Sequence, residues 1–164
     1  MNLPRPLAAG LCLVAGVTFL DQLTKWWIVE TVMNPPRVIE ITSFFNLVLG
    51  WNRGISFGFF NNDSPLNSWV LPLVTGLIIC FLAIWLVRAR NMLVCSALGL
   101  IIGGALGNLI DRLRYGAVAD FLDVHAFGYH WPAFNVADSA ITVGACILVW
   151  DSLFARSEPS KKTE

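Results

Sequence analysis

Asp120 and Asp138 are two carboxylates at the two ends of a connection between apolar segments, 18 positions apart in the sequence. Because the connection joins neighbouring segments, both side chains can point into one cleft. Two close carboxylates cannot both ionise cheaply, so one of them keeps a proton near neutral pH. Such a pair supplies a base that activates water and an acid that protonates a carbonyl oxygen, which is what peptide hydrolysis needs. Transporters also keep pairs of acids, so the spacing alone leaves the function open.

These residues also have ordinary explanations. Asp138 comes three residues after Asn135 at the start of an apolar segment, which is the position of a helix-capping carboxylate. Asp120 is explained as a solvated loop acid, and so is Asp123. The residues alone do not rank Asp120 above Asp123 as the partner of Asp138.

The pair belongs to a concentration of polar residues in the stretch 103–144. Four of the chain's 11 acidic residues lie within residues 111–138. Ionisable groups at membrane depth are expensive and are kept mostly where they serve a function. Two of the residues, Asp111 and Arg112, are adjacent and most simply form a local ion pair, and His125 and His130 have the character of ordinary loop residues. The full set comprises Asn108, Asp111, Arg112, Asp120, Asp123, Asn135 and Asp138.

The composition places the chain in a membrane. Its 164 residues give room for one domain, 56% of them are hydrophobic and only 13% are charged, against about 25% in an ordinary soluble domain. The net charge is zero, and no run of Lys and Arg occurs outside the C-terminal tail, so nucleic acid is not an expected partner. The four cysteines lie in apolar runs with no C-x-x-C pair, so we expect neither disulfides nor a metal or other cofactor.

Four apolar segments are long enough to cross about 30 Å of hydrocarbon. The first follows Arg5 and is not followed by a small-residue cleavage site, which predicts a signal anchor and not a cleaved signal peptide. Pro72 is expected in the first turn of the second span, where proline is tolerated. A polar tail at 157–164 is predicted to be disordered. The predicted spans are residues 7–28, 69–87, 92–110 and 134–155.

Two of the spans carry features that bear on the site. Asp21 and Lys25 are four residues apart near the end of the first span, which puts them on one helix face as an interfacial salt bridge or as part of a site. In the third span, Gly99, Gly103 and Gly107 recur every four residues. Such a stripe of small residues predicts the close approach of another helix.

The segment 29–68 between the first two spans is rich in aromatic and β-branched residues. Its sequence predicts strands at 38–41, 44–51 and 55–60 with a turn at 52–54, which together form a short hairpin or curled sheet. These strands are too apolar for water alone. We therefore expect their aromatic side chains to lie on the membrane surface or to line a substrate groove.

Four spans put both termini on one side of the membrane, and positive charge selects the side. Six basic residues fall on the face of the termini and five on the opposite face, and two of the six, Arg88 and Arg90, share one very short loop. This distribution predicts cytoplasmic termini. It places the segment 29–68, Asp120 and the start of the fourth helix on the outer face.

Four blocks of the sequence resemble the lipoprotein signal peptidases, also called signal peptidase II. They occur in that family's order and at its distances between four spans, so the resemblance covers essentially the whole chain. The turn at 52–54 and the residue after it depart from the family pattern at Arg53 and Ile55, where smaller residues are common. This departure bears on substrate preference and not on the aspartates. The blocks are DQLTK at 21–25, NRG at 52–54 leading to Ser56 and Phe57, GGALGNLIDR at 103–112 with VADF at 118–121, and FNVADS at 134–139.

The resemblance implies an inner-membrane aspartic protease of bacteria. The implied fold is an all-α membrane protein, one domain over residues 1–164, with four transmembrane helices and a small β-rich cradle on the periplasmic face. Asp120 and Asp138 would be the catalytic dyad, which uses water, and no metal or other cofactor, to cleave a diacylglyceryl-modified prolipoprotein just before its lipidated cysteine. We expect such substrates and membrane lipids as partners of a monomer. Supporting roles fall to Asp21, Lys25, Asn52, Gly54, Asn108, Asp111, Arg112 and Asn135.

Three other functions compete with this interpretation. A proton-coupled transporter or channel subunit would use Asp21, Asp120 and Asp138 as relay groups, but it predicts acids near the midplane and an internal repeat, which the sequence lacks. A lipid-modifying transferase with paired acids and a metal would need acids at i and i+4 with nearby glycines, and the spacing of Asp120 and Asp123 does not supply that. A purely structural membrane protein would have little reason to hold these polar groups.

Overall fold

The computed structural model describes residues 3–54 and 65–154, which form four long helices and one small antiparallel sheet. All four helices are long and apolar enough to cross a membrane, which confirms the predicted fold class. The helices are α1 (Arg5–Trp27), α2 (Pro65–Arg88), α3 (Met92–Tyr115) and α4 (Val136–Phe154). The strands are β1 (Ile39–Thr42), β2 (Phe45–Asn52), β3 (Val118–Ala126) and β4 (Tyr129–His130).

The helix boundaries differ from the predicted spans mainly at their ends. α1 continues as a π-helical turn over Ile28–Val32, and α3 extends to Tyr115, beyond the predicted end at 110. The placement of Pro72 in the first turn of the second span was wrong. Pro65 is the first residue of α2, where proline lacks only a hydrogen bond that the helix would not make, so Pro72 lies inside the helix.

α3 is the central helix, packing against α1, α2 and α4, and its small residues allow this. A Cβ atom on Gly99 would lie 2.5 Å from the carbonyl oxygen of Gly10 in α1, and one on Gly103 would lie 2.9 Å from that of Val14. The predicted close approach of helices along the glycine stripe is therefore confirmed. Gly104 faces the other way and meets the carbonyl oxygen of Ala137 in α4.

The sheet has the order β1-β2-β3-β4, and its strands follow the outgoing ends of α1 and α3. We call this end of the helix bundle the sheet end. β1 and β2 match the strands predicted at 38–41 and 44–51, and they pair with each other as a hairpin. The other partner of β2 is β3, which lies in the stretch predicted to be a polar loop. The register pairs Gly50 with Asp120 and Asn46 with Asp123, so both acids belong to a strand. The strand predicted at 55–60 and the polar tail at 157–164 lie outside the described residues.

A small apolar cluster holds the sheet against the helices. Ile28 and Met33, from the π-helical turn and the residue after it, pack with Phe121 of β3, and all three are buried. Phe121 lies next to Asp120, so the cluster fixes the backbone that carries this carboxylate. The register and the cluster together place Asp120 at the junction of the sheet with the bundle.

The packing of α3 on α4 generates a prediction for Gly104→Ala. The added methyl group would overlap the carbonyl oxygen of Ala137 and lie 2.9 Å from Cγ1 of Ile141, so the two helices must separate. We expect a loss of about 1–3 kcal/mol of stability, which is typical of overpacking, seen as a lower midpoint of thermal unfolding in detergent. Gly76→Ala is the matched control, since nothing lies within 4 Å of its Cβ position. Equal midpoints for the two variants would contradict this account.

Candidate active site

A buried ion network ties three helices together at the sheet end. Nζ of Lys25 lies 2.8 Å from Oδ2 of Asp21 and 2.9 Å from Oδ2 of Asp111, and the three side chains are at most 5% exposed. Oδ1 of Asp21 accepts a hydrogen bond of 2.9 Å from the backbone N–H of Ala137, at the start of α4. The predicted pairing of Asp21 with Lys25 is confirmed, and the pair is buried between the helices. The partner that the structure gives Asp111 is Lys25 of α1, and not the adjacent Arg112.

Gln22 belongs to the same network, and the sequence analysis missed it. Its Nε2 donates to Oδ1 of Asp111 at 2.9 Å and to the carbonyl oxygen of Gly107 at 3.1 Å. Gln22 follows Asp21 directly in the block DQLTK, but only the docking of α1 on α3 shows that its amide reaches Asp111. No signal along the chain distinguishes it from a lipid-facing glutamine.

Asn108 connects the ion network to Asp138. Its Oδ1 accepts from Nζ of Lys25 at 2.9 Å and from Nδ2 of Asn135 at 3.2 Å, while its Nδ2 donates to Oδ1 of Asp138 at 2.8 Å. An ammonium group can only donate hydrogen bonds, so Lys25 requires the amide oxygen of Asn108 to face it. The amide N–H of Asn108 is thereby directed to Asp138.

Asp138 and Asn135 cap the N-terminus of α4 reciprocally. The backbone N–H of Asp138 donates to Oδ1 of Asn135 at 2.9 Å, and the backbone N–H of Asn135 donates to Oδ2 of Asp138 at 3.2 Å. The capping explanation of Asp138 is therefore correct. Both of its carboxylate oxygens receive a hydrogen bond, and the helix dipole also favours a negative charge in this first turn.

Asp120 lies on β3 and is 5% exposed. Its Oδ1 accepts from Nδ2 of Asn135 at 2.7 Å, and its Oδ2 accepts from Nδ2 of Asn52 at 3.1 Å. Oδ1 of Asn52 accepts in turn from the backbone N–H of Gly54 at 3.1 Å, which fixes the amide at the end of β2. Burial and then the negative charge of Asp138 raise the pKa of Asp120 to about 6, although the two amide hydrogen bonds act in the opposite direction.

The two aspartates line one groove with a volume of about 520 Å³ at the sheet end. The strand β3 brings Asp120 to it and the first turn of α4 brings Asp138, and the groove continues along α4 past Thr142 and Val143. The positive charge of Arg112, at the end of α3, acts on the carboxylates of Asp138, Asp120 and Asp111. The structure thus brings all ten of the candidate site residues into one connected region. These are Asp21, Lys25, Asn52, Gly54, Asn108, Asp111, Arg112, Asp120, Asn135 and Asp138.

Asp123 differs from Asp120 in its partners. It accepts from Nδ2 of Asn46 at 3.0 Å, and its two oxygens each lie 2.9 Å from Nδ1 of His130. Burial would raise the pKa of Asp123, but these hydrogen bonds and the neighbouring histidine charges bring it below its ordinary value. His130 and His125 are strand residues of β4 and β3, and not loop residues as predicted. Asp123 is engaged in holding the sheet and does not line the groove of Asp120.

Comparisons with known proteins agree with this architecture. A family model described as signal peptidase (SPase) II matches residues 13–154. The chain is 41% identical over 161 residues to a lipoprotein signal peptidase of Nitrobacter hamburgensis, with 95% of this chain and 98% of the relative covered. It is 50% identical over 151 residues to a lipoprotein signal peptidase of Paraburkholderia phytofirmans, with 90% and 86% covered. A solved structure described as a bacterial membrane enzyme has a TM-score of 0.82 at 28% identity, with 96% of this chain and 95% of that chain covered.

The ion network generates a prediction for Lys25→Met. The substitution leaves the carboxylates of Asp21 and Asp111 buried without their cation, which costs roughly 3–5 kcal/mol when one partner of a buried pair is removed. We expect a much lower midpoint of thermal unfolding in detergent. Arg88→Met is the control, because it removes an exposed cation at the opposite end of the bundle. A Lys25→Met protein as stable as the control would show that the network does not hold the helices together.

Proposed function

The chain belongs to the signal peptidase II family, and from this premise we propose that it cleaves signal peptides from bacterial prolipoproteins. The substrate is the diacylglyceryl-modified form, cut just before its lipidated cysteine. The observation that carries the proposal is the groove that Asp120 and Asp138 share, in which burial and the negative charge of Asp138 raise the pKa of Asp120. The transporter alternative draws no support from the described residues, since their buried ionisable groups gather at one end of the bundle.

The proposed site faces the periplasm, and the enzyme is a multi-pass protein of the bacterial inner membrane with cytoplasmic termini. The support is the position of Arg88 and Arg90 at the end opposite to the sheet, where positive charge favours the cytoplasm. In this orientation the groove opens where a signal peptide leaves the outer surface of the bilayer. It also follows that the substrate reaches the aspartates laterally, with its acyl chains remaining in the membrane.

We assign the base to Asp138 and the acid to Asp120. Each of the two carboxylates accepts two hydrogen bonds, but only Asp138 lies in the first turn of a helix, where the helix dipole favours a negative charge. Asp120 has a pKa raised by burial and by the negative charge of Asp138, so we assign it the role of the group that donates a proton. A bound peptide excludes water and strengthens this preference, because desolvation disfavours a second negative charge.

The proposed reaction needs only these two carboxyl groups and one water molecule. Asp138 takes a proton from water as its oxygen attacks the scissile carbonyl carbon, and Asp120 gives its proton to the carbonyl oxygen. In the resulting tetrahedral diol, Asp138 then donates its proton to the leaving nitrogen as the C–N bond breaks. One hydroxyl of the diol returns its proton to Asp120, which leaves a carboxyl product and restores both aspartates. No covalent intermediate with the enzyme is formed.

The surrounding polar residues position the pair and the peptide. Lys25, held by Asp21 and Asp111, orients Asn108, and Asn108 orients Asp138. Asn52 and Asn135 hold Asp120. Asn52 is half-buried and is a candidate to hydrogen-bond the substrate backbone, whereas Asn135 is fully buried and has the role of a positioning residue. The acyl chains contribute binding along the apolar side of the groove, since each buried CH₂ is worth roughly 0.8 kcal/mol.

The dyad is tested by cleavage of a diacylglyceryl-modified prolipoprotein in lipid or detergent. Asp120→Asn and Asp138→Asn each remove one proton-transfer group, so we expect kcat to fall by about 10²–10⁴-fold while the proteins remain folded. Asp123→Asn is the matched control on the same strand and should keep most of the activity. Activity that survives either dyad substitution, or a wild-type protein that never cleaves, would refute the proposal.

The assignment of acid and base predicts the direction of the pH dependence. Asp120 acts in its protonated form, and a carboxyl with its pKa raised from 3.8 to about 6 keeps its proton to a higher pH than an ordinary aspartate. Because kcat/KM reports groups of the free enzyme, we expect it to fall as pH rises through about 6. The measurement is kcat/KM from mildly acidic to mildly alkaline pH. A rise in kcat/KM through the same range would give Asp120 the role of the base instead.

A further inference from the structure

A β-hairpin at the end of the sheet presents three aromatic side chains outward. β3 and β4 pair His125 with His130 and Ala126 with Tyr129, and the connecting residues Phe127 and Gly128 both have positive φ angles, 52° and 81°. Phe127 is fully exposed at 101%, Tyr129 is 84% exposed and Trp131, just after β4, is 70% exposed. A bulky residue with positive φ is unfavourable, so backbone preference does not explain a phenylalanine at this turn.

Contacts at the root of the hairpin fix its depth relative to the helices. The backbone N–H of Ala119 donates to Oδ2 of Asp111 at 3.2 Å, and the backbone of Leu122 pairs with that of Phe134. Asp111 lies four residues before the end of α3, which is about 6 Å along the helix axis. The strand β3, which leads into the hairpin, therefore starts at the level of the helix ends. Other exposed aromatic residues lie at that end, namely Trp26, Trp27, Trp51 and Tyr115, as in the aromatic belts of membrane proteins.

The hairpin also lacks the charges that a water-exposed tip would carry. Residues 124–133 read VHAFGYHWPA and contain no Asp, Glu, Lys or Arg. The nearest acid, Asp123, has a side chain only 9% exposed and is hydrogen-bonded to His130 and Asn46. An uncharged aromatic tip is costly in water, whereas the boundary between lipid headgroups and acyl chains accommodates Trp and Tyr rings.

We propose that the segment 124–131, here called the anchor hairpin, inserts its aromatic side chains into the bilayer interface at the sheet end. The surface is continuous with the lipid-facing side of the bundle, because Trp131 lines the same groove as Ile141 and Val143 of α4. The anchor hairpin holds the sheet down beside the groove. It thereby sets the height of the groove rim relative to the lipid leaflet, and this role does not depend on which reaction the groove performs.

The test is the depth of a nitroxide label in vesicles of phosphatidylcholine and phosphatidylglycerol. The label is attached to Phe127→Cys in a chain whose four native cysteines are replaced by alanine, with folding checked by its thermal transition. A control label is attached to Glu40→Cys, an exposed charged position on β1 of the same sheet. We expect the label at 127 to be relaxed by oxygen, which concentrates in lipid, and protected from a water-soluble nickel chelate. The label at 40 should show the opposite pattern.

Two outcomes would overturn the proposal. A label at 127 as accessible to the nickel chelate as the label at 40 would place the hairpin in water. The second outcome is a label at 127 that is protected from the nickel chelate only when its spectrum shows spin–spin broadening. If that protection disappears when the protein is diluted in lipid, a second copy of the chain covers the tip.

A second variant separates insertion from folding. Phe127→Asn suits the positive φ angle better than phenylalanine, so the hairpin should form at least as well. With the label moved to Tyr129→Cys, we expect Phe127→Asn to increase accessibility to the nickel chelate while the thermal midpoint in detergent is unchanged or higher. An unchanged label depth would refute the anchoring role of Phe127.

Discussion

The ammonium group of Lys25 between two buried carboxylates is the interaction on which the rest of the site depends. One positive charge does not neutralise Asp21 and Asp111 together, so the remaining charge needs hydrogen-bond donors. These come from Gln22 of α1, from the backbone N–H of Ala137 in α4 and from that of Ala119 in β3. The donors lie on different elements, and satisfying the charge therefore determines where α4 begins and where β3 turns back along α3.

The ion network of Asp21, Lys25 and Asp111 requires the glycines of α3, as helix packing does. A Cβ atom on Gly107 would collide with Oδ2 of Asp21, the oxygen that binds Lys25. One turn earlier, the hydroxyl of Thr18 donates to the carbonyl oxygen of Gly103 at 3.0 Å. The small-residue stripe thus lets α1 approach until its polar side chains reach α3. At any greater separation the carboxylates would lose their donors, which is a large penalty inside hydrocarbon.

Local patterns in the sequence were enough to predict the four spans, the pairing of Asp21 with Lys25 and the cap of Asp138, because each involves residues within one helical turn or one apolar run. Local patterns could not show which of Asp120 and Asp123 lies beside Asp138. It depends on β3 pairing with β2, about 70 residues away, which places Asp120 opposite Gly50 and Asp123 opposite Asn46. Acidic residues in a short connection between helices are typical of a loop, so the sequence predicted no strand here. Only the resemblance to a family favoured Asp120 over Asp123 as the partner of Asp138.

Asn135 shows why the structural and the chemical explanations of this site are not alternatives. Its Oδ1 caps α4 through the backbone N–H of Asp138, which fixes the side-chain rotamer and directs Nδ2 toward Asp120. The hydrogen bonds from Asn108 and from the backbone of Asn135 stabilise a negative charge on the half-buried Asp138. A second charge on Asp120 would lie in the same groove as the first, and the hydrogen bonds of two amides and the positive charges of Lys25 and Arg112 offset it only in part, because the pKa of Asp120 is raised. The cap that starts the helix therefore also positions the two carboxyl groups, and a pair with one proton is the state that the proposed water activation would use.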